Sequence, residues 1–599
     1  MIEKKRLWAA IFVAAAVLAR PCLSRFAHPA ADTRPESPSS RIVQEVGDAY
    51  FDWMKEDSLY LHVRLGLRVE RLPDITLAKA ERDAAKAKAL LAQLDRVKPE
   101  ELTHEEALSL DVLRLRLSVP VDSLRFYWLG FPVTPYSTPL NEVNTMFGSY
   151  VFKDKAAADH YLDLLGLYPN LINQIRGHLE AQWTKGIVIP REELDLIIPF
   201  LRALAGDIES NPLGVKPERL SSLSRTAASA FRNRLVKIID ETANPALDGL
   251  ISYVEGEYRR KAPEAVGLTQ YPGGKEYYAW LVKYHTGLNL TPDEVYAVGL
   301  REVEKINREM DRVQTTLGFT GTRSEFRDSL KKDSRFFPKT PEEVGERLMA
   351  HIRRIEPNLD LYFLRRPKAP YGVKRLELER EGAQTFGYYE APTAADPAGY
   401  YRYNASNLPE RSLLNSADLI YHELIPGHHF EIGLSLENPD IPAFRRETSD
   451  TAYAEGWAEY AATLAGEMGM YADPYDLYGR LSAEMFLATR LVVDTGMNAL
   501  GWPRAQAVGF MRENLMETDE QIHTESLRYS CDLPGQALGY RIGFLKFLEL
   551  RERAQKVLGK SFDIRRFHDA LLSSGSLPLA TLERHVDWFI KGEKQRAGL

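Results

Sequence analysis

Between Tyr421 and Glu431 the chain reads Y-H-E-L-I-P-G-H-H-F-E, and this stretch limits how the helices around it can run. Three of the thirteen histidines fall in it, next to Glu423. Imidazoles and a carboxylate in a mainly apolar segment point to a transition metal, because neutral imidazole suits zinc and a nearby carboxylate can take a proton from water at the metal. In the usual H-E-x-x-H pattern, residues four apart share one helix face and reach one ion. Here the fourth residue after His422 is Pro426, and His428 and His429 come six and seven positions on. On an unbroken helix they would rise about 9 and 10.5 Å above His422, too far for one zinc with bonds of about 2.0 Å. The helix therefore has to deform. A proline ring clashes with the carbonyl four residues back, here that of His422, and Gly427 tolerates the backbone that the break demands. Pro426-Gly427 reads as a two-residue insertion that returns a histidine to the metal.

These residues also carry a resemblance. H-E-L-I-P-G-H-H resembles the H-E-x-x-P-G-H-H signature of the bacterial family known as domain of unknown function 885, which is similar to zinc peptidases of the gluzincin type. E-G-W-A-E-Y, from Glu455 to Tyr460, is similar to the family's E-G-W-A-L-Y. Arg528-Tyr529 followed by Pro534 to Gly543 is similar to its R-Y and P-G-Q-A-x-x-Y-x-x-G block. Weaker similarity lies in L-G-L-R-V-E-R-L-P-D at Leu65 to Asp74 and Y-P-G-G-K-E-Y-Y at Tyr271 to Tyr278, so the blocks run through nearly the whole chain in order.

The resemblance implies one zinc ion per chain, held by His422, His428 and Glu455. His428 is favoured over His429 as second ligand, and His429 is left to support the site or contact substrate. The implied reaction is hydrolysis of peptide bonds in peptides or unfolded segments. Zinc with an open position would activate water and polarise the scissile carbonyl, and Glu423 would act as general base. Tyr540, then Tyr529, are candidate donors to the oxyanion, and Arg528 is a candidate for holding a substrate carboxylate. The plain alternative for both tyrosines is core packing. Glu455 lies twenty-seven residues after His428, room for one helix to end, a loop with Asn438-Pro439 and Pro442, and a second helix to pack alongside. Three positions depart from the family's pattern: Glu459 replaces leucine, Ala462 replaces glutamate and Asn498 replaces histidine.

Elsewhere the sequence reads as scaffold. Met1 to about Ser24 has a basic start (Lys4, Lys5, Arg6) and thirteen apolar residues from Leu7 to Ala19. That is too short for a span of about 20, and fits a cleaved secretory signal over 1–24. Export to the periplasm or medium follows, with no stable membrane span after cleavage. An uncleaved anchor or lipoprotein is less favoured, because Arg20 and Pro21 precede Cys22 where a lipidation site has small residues. Residues 25–41 are rich in Pro, Ser and Ala and read as a disordered tether, and 42–599 as one helical catalytic unit with two lobes as an option.

The formal charge of -7 is spread without long like-charge blocks, against nucleic-acid binding. Two cysteines, Cys22 and Cys531, make no disulfide framework. Asp74 to Val97 and Glu105 to Val119 have helical spacing, and Thr291-Pro-Asp-Glu and Thr340-Pro-Glu-Glu are capped helix starts. From Gly372 to Asn404, alternation at Leu376 and Leu378 and the segments F-G-Y-Y-E and G-Y-Y-R-Y predict a small β-ribbon before the metal helix. An exposed edge there would hold an extended peptide, with Tyr401 as a substrate contact.

The expected fold is mainly α, a large multi-helix gluzincin-like peptidase with a deep central cleft. Two other classes compete. A non-catalytic peptide-binding protein on a peptidase scaffold draws on the departures at Asn498 and Ala462. A di-iron bundle would use Glu101-x-x-His104 and Glu520-x-x-His523.

Overall fold

Threonine caps set the helix starts. In the computed structural model the Thr291 hydroxyl accepts from the Glu294 amide at 3.2 Å and the Glu294 carboxylate accepts from the Thr291 amide at 2.8 Å, opening the helix Pro292–Thr316. The Thr340 hydroxyl caps Pro341–Ile355 by accepting from the Glu343 amide at 3.2 Å, while the Glu343 carboxylate accepts from the Lys339 amide at 2.7 Å. Thr76 and Thr103 cap Leu77–Leu94 and His104–Ser123, the two helices expected from apolar spacing. Such caps satisfy amides that the helix itself leaves unpaired.

The structure describes residues 37–381, 387–393 and 396–598. The expected leader and most of the tether lie outside them. Helix Pro38–Asp57 already occupies the last residues assigned to the tether, capped by Ser37. The described chain is mainly helical, and its buried side chains form three hydrophobic clusters. One spans Leu59 to Ala262, one lies along Pro292–Thr316 and Pro474–Asn498, and the largest encloses Tyr421, Trp457 and Phe547 beside the histidine motif. Among the described residues no helix is long and apolar enough to cross a membrane.

The ribbon is a three-stranded sheet of β1 (Tyr371–Arg375), β2 (Tyr388–Glu390) and β3 (Gly399–Tyr403). β3 is central, parallel to β1 with Tyr371 opposite Gly399, and antiparallel to β2 with Tyr389 opposite Tyr401. The alternation at Leu376 and Leu378 does not extend β1. Leu378–Glu381 is a helical turn, folded back because Arg375 pairs with Glu381 at 2.8 and 2.9 Å. Leu376 is buried and Leu378 is 68% exposed, so the two leucines do not share a face.

The histidine motif breaks where its proline and glycine require. One helix runs Ser416–Glu423 and the next His428–Glu437, with a cis Ile425–Pro426 bond between them. The His429 amide reaches back to the Leu424 carbonyl at 3.0 Å, and the Trp457 indole donates to the Pro426 carbonyl at 3.1 Å. At Gly427, with φ -76° and ψ -125°, space is what holds the position to glycine. A Cβ there would lie 1.7 Å from the His422 carbonyl oxygen.

Two other motif glycines join helices Thr451–Glu467 and Leu538–Leu558. A Cβ on Gly456 would lie 2.5 Å from the Gly543 carbonyl carbon, and one on Gly543 would lie 1.9 Å from the Ala452 oxygen. This close approach brings the Glu455 and Tyr540 helices together.

Gly427→Ala is expected to destabilise the fold by about 1–3 kcal/mol, the range for overpacking a dense interior, and to lower zinc uptake. Chemical denaturation with elemental analysis checks this, and wild-type stability with full zinc uptake would show that the break has room for a methyl group.

Candidate metal centre

The two motif helices and the Glu455 helix converge on three side chains. Glu455 Oε2 lies 3.4 Å from His422 Nε2 and 3.5 Å from His428 Nε2, and the three ligand atoms all fall within 4.8 Å of one another. The imidazole rings stand perpendicular, with centroids 4.9 Å apart. A tetrahedral ion with bonds of about 2.0–2.1 Å holds its ligands about 3.3 Å apart, so the two carboxylate–imidazole edges fit such an ion. Two imidazoles and one carboxylate are also a donor set suited to zinc with a position left open. Among the described residues this is the group spaced to hold a metal.

Glu459, one turn after Glu455, accepts from His422 Nδ1 at 2.8 Å, which leaves Nε2 to face Glu455. Metal-binding histidines commonly hold their second nitrogen this way. Among the described residues His428 Nδ1 is buried without a hydrogen-bond partner, as is Oε2 of the buried Glu431 one turn on. Burial works against charge on all three of these side chains. The contacts win: they hold Glu455 well below the usual carboxylate range and raise both histidines above the ordinary imidazole value.

Glu423 sits at the end of the first motif helix, half-buried, with its carboxyl pushed up first by burial and drawn back by His422 and His428. The Tyr389 backbone amide of β2 donates to it. β2 is thus the edge strand beside the site, in place of β3. Tyr401, on the central strand, is 2% exposed and lies near Glu423 with its ring in the core, not presented to a substrate. His429 is fully buried. Its Nε2 pairs with the Ala369 carbonyl at 3.0 Å and its Nδ1 with the Tyr389 hydroxyl at 2.9 Å, and burial pushes it down to about 4. With both nitrogens engaged it cannot contact substrate, and it fastens the sheet to the motif. Gly399 makes room for that pair, since a Cβ would fall 2.4 Å from the Tyr389 hydroxyl.

Of the oxyanion candidates, Tyr540 is half-buried and interacts electrostatically with Glu455. Tyr529 is fully buried, accepting from Arg490 Nε at 2.8 Å and donating to Glu525, so its hydroxyl is spent inside the protein. Arg528 pairs with Glu525 at 3.2 Å and Gln536 at 2.8 Å. Asn498 is fully buried and brackets three segments, accepting from the Leu268 amide at 3.0 Å and donating to the Asp494 and Tyr529 carbonyls at 3.0 and 2.9 Å. It has no part in the site.

The E-x-x-H pairs have other partners. Glu101 accepts from Ser39, His104 pairs with His585, and His523 pairs with Arg504. Reading residues alone missed Tyr389 and Arg490, since neither belongs to a spacing pattern. Glu459 was discernible, because a residue four after Glu455 shares its helix face.

The chain belongs to the family described as bacterial protein of unknown function (DUF885), whose model matches residues 61–586. It is similar to the crystal structure of a candidate lipoprotein from Colwellia psychrerythraea, at 26% identity and a TM-score of 0.85, over 93% of this chain and 100% of that one. A candidate lipoprotein of unknown function from Shewanella oneidensis matches at 19% identity and a TM-score of 0.69, over 92% and 99% of the two chains. Metallocarboxypeptidase 1 of Trypanosoma cruzi, at 11% identity and a TM-score of 0.34 over 93% and 99%, is too distant to carry an argument. No curated protein matches the chain.

Glu459→Leu is expected to weaken zinc binding about 10–100-fold, the usual effect of removing a ligand's supporting carboxylate. Competition with a chromogenic chelator reads this directly, and unchanged affinity would show that Glu459 does not orient His422.

Proposed function

We propose that this DUF885 protein is an exported zinc-dependent peptidase acting on peptides or unfolded segments in a cleft between its helices. The observation that carries the reading is the His422, His428 and Glu455 group at near-tetrahedral edges with Glu423 beside it. His422, His428 and Glu455 would hold the ion. When bound, zinc supplies Lewis acidity, polarising a scissile carbonyl and lowering the pKa of a coordinated water to about 7.

The remaining steps belong to the chain. Glu423 takes the proton of the attacking water and passes it to the leaving amine, as a general base and then acid. Burial that raises its pKa suits both halves of that task. The Tyr540 hydroxyl donates to the carbonyl oxygen as it gains charge. The outer edge of β2 runs past Glu423 and offers main-chain groups to an extended peptide, a common mode of peptide capture. His429 and Tyr389 fix that edge relative to the motif.

Export enters this reading from the apolar leader, and agrees with the description of two structural neighbours as candidate lipoproteins. The reading as a non-catalytic binding protein loses one of its supports, because Asn498 is an internal bracket.

Glu423→Gln should keep about one zinc per chain and lose peptide hydrolysis by about 10²–10⁴-fold, the usual share of a general base. Elemental analysis with a peptide-library assay checks both halves. Wild-type turnover in the variant would remove Glu423 from the reaction, and zinc-loaded wild type that cleaves nothing would sink the peptidase reading.

A further inference from the structure

Beside β2 a short helix, Leu59–Leu65, turns apolar side chains to solvent. Leu59 and Leu61 are buried and hold it to the protein, while Tyr60 is 59% and Val63 48% exposed. Single exposed apolar residues are ordinary, so their placement is what counts. Tyr60, Val63 and Arg64 are three and four positions apart and share one helix face. Arg64 shows where that face points. Its Nη1 donates to the Pro392 carbonyl at 3.0 Å, just past the end of β2, and its Nε donates to Glu447 at 2.6 Å, ahead of the helix that carries Glu455.

This is the side on which β2 meets the metal ligands. Tyr389, in the middle of β2, turns its side chain to the motif helices. Its hydroxyl lies 2.9 Å from His429 Nδ1, and its ring centre lies 6.4 Å from that of His428. Arg64 and Tyr60 both act electrostatically on the same hydroxyl. The helix therefore stands beside β2 on its metal side. The Arg64 charge is spent on Glu447, so the wall it shares with Tyr60 and Val63 offers apolar surface and one hydroxyl. The L-G-L-R-V-E-R-L-P-D block, which has no part in the metal group, begins at the end of this helix. Its Gly66 takes the left-handed turn that ends the helix, with φ 66°, and the Leu67 amide returns to the His62 carbonyl at 2.8 Å. An extended peptide on the outer edge of β2 points alternate side chains to opposite sides of the sheet, so every second one faces this wall.

We infer that Tyr60 and Val63 form the wall of a side-chain subsite, so that the enzyme prefers peptides with a large apolar residue, aromatic or long aliphatic, at one fixed position relative to the bond it cuts. This rests on the peptidase reading and names its substrate class.

The test scans a host peptide with Phe, Leu, Ser or Asp at each position in turn. Cleavage is read by mass spectrometry, and binding by calorimetry on zinc-loaded Glu423→Gln protein. At one position, and not at the residue on either side of it, wild type should cleave the Phe and Leu peptides with a kcat/KM about tenfold or more above that for Ser and Asp. Tyr60→Ser combined with Val63→Ser should cancel that preference with zinc content unchanged, whereas Tyr60→Phe should keep it. If the double variant misfolds, the wild-type scan decides alone. Cleavage with no preference at any position, or a preference that survives the double variant, would overturn the subsite and leave the peptidase reading standing. A dimer that the double variant splits, with the preference unchanged, would assign the face to a second copy of the chain instead. No cleavage of any peptide by wild type would overturn the peptidase reading, and binding would then decide the wall: equal binding of the Phe and Ser peptides would overturn it too.

Discussion

The hydrogen bond from the Trp457 indole to the Pro426 carbonyl ties together the two parts on which the site depends. Pro426 and Gly427 stop the first motif helix and start the second, and the carbonyl exposed at that break would be a buried, unsatisfied acceptor without a partner. Trp457 supplies one, two residues after Glu455 on the neighbouring helix. The same contact that satisfies the break therefore sets the distance from Glu455 to His422 and His428. Gly456, between Glu455 and Trp457, lets the Tyr540 helix touch at Gly543. The residues of E-G-W thus serve three neighbours: the glutamate faces the imidazoles, the glycine admits a helix and the tryptophan closes the break.

Much of this was legible in the sequence because it follows from hard local rules. A proline cannot continue a helix, so the break at Pro426-Gly427 could be placed to the residue, and threonine-proline-acid starts placed helices with equal sharpness. The approach of Glu455 to the two histidines was expected from the likeness of its block to a family motif, not from any periodicity. The β-ribbon was legible only in outline. Leu376 and Leu378 look like a strand, but the Arg375–Glu381 pair turns the chain into a helical turn, a tertiary interaction that no local pattern encodes.

The residues whose partners sequence did not reveal share a cause. His429, Tyr401 and Tyr529 carry groups that serve equally in catalysis and in a core, and their neighbours come from distant segments. His429 meets Ala369 and Tyr389, and Tyr529 meets Arg490 and Glu525. Once both polar ends of a buried side chain are paired within the protein, nothing remains for a ligand. Asn498 shows the same logic from the other side, since a departure that suggested altered chemistry serves as an internal bracket.

Glu459 turns another departure into a support, because the carboxylate that replaces leucine in the family's pattern holds His422 Nδ1. The central claim is that these residues exist to hold a metal. Anomalous diffraction at the zinc edge, from crystals of the wild-type protein, tests it most directly. One strong peak within about 2.0–2.2 Å of His422 Nε2, His428 Nε2 and Glu455 is the result predicted. Crystals soaked in zinc that show no density there, or a peak held by other residues, would contradict it.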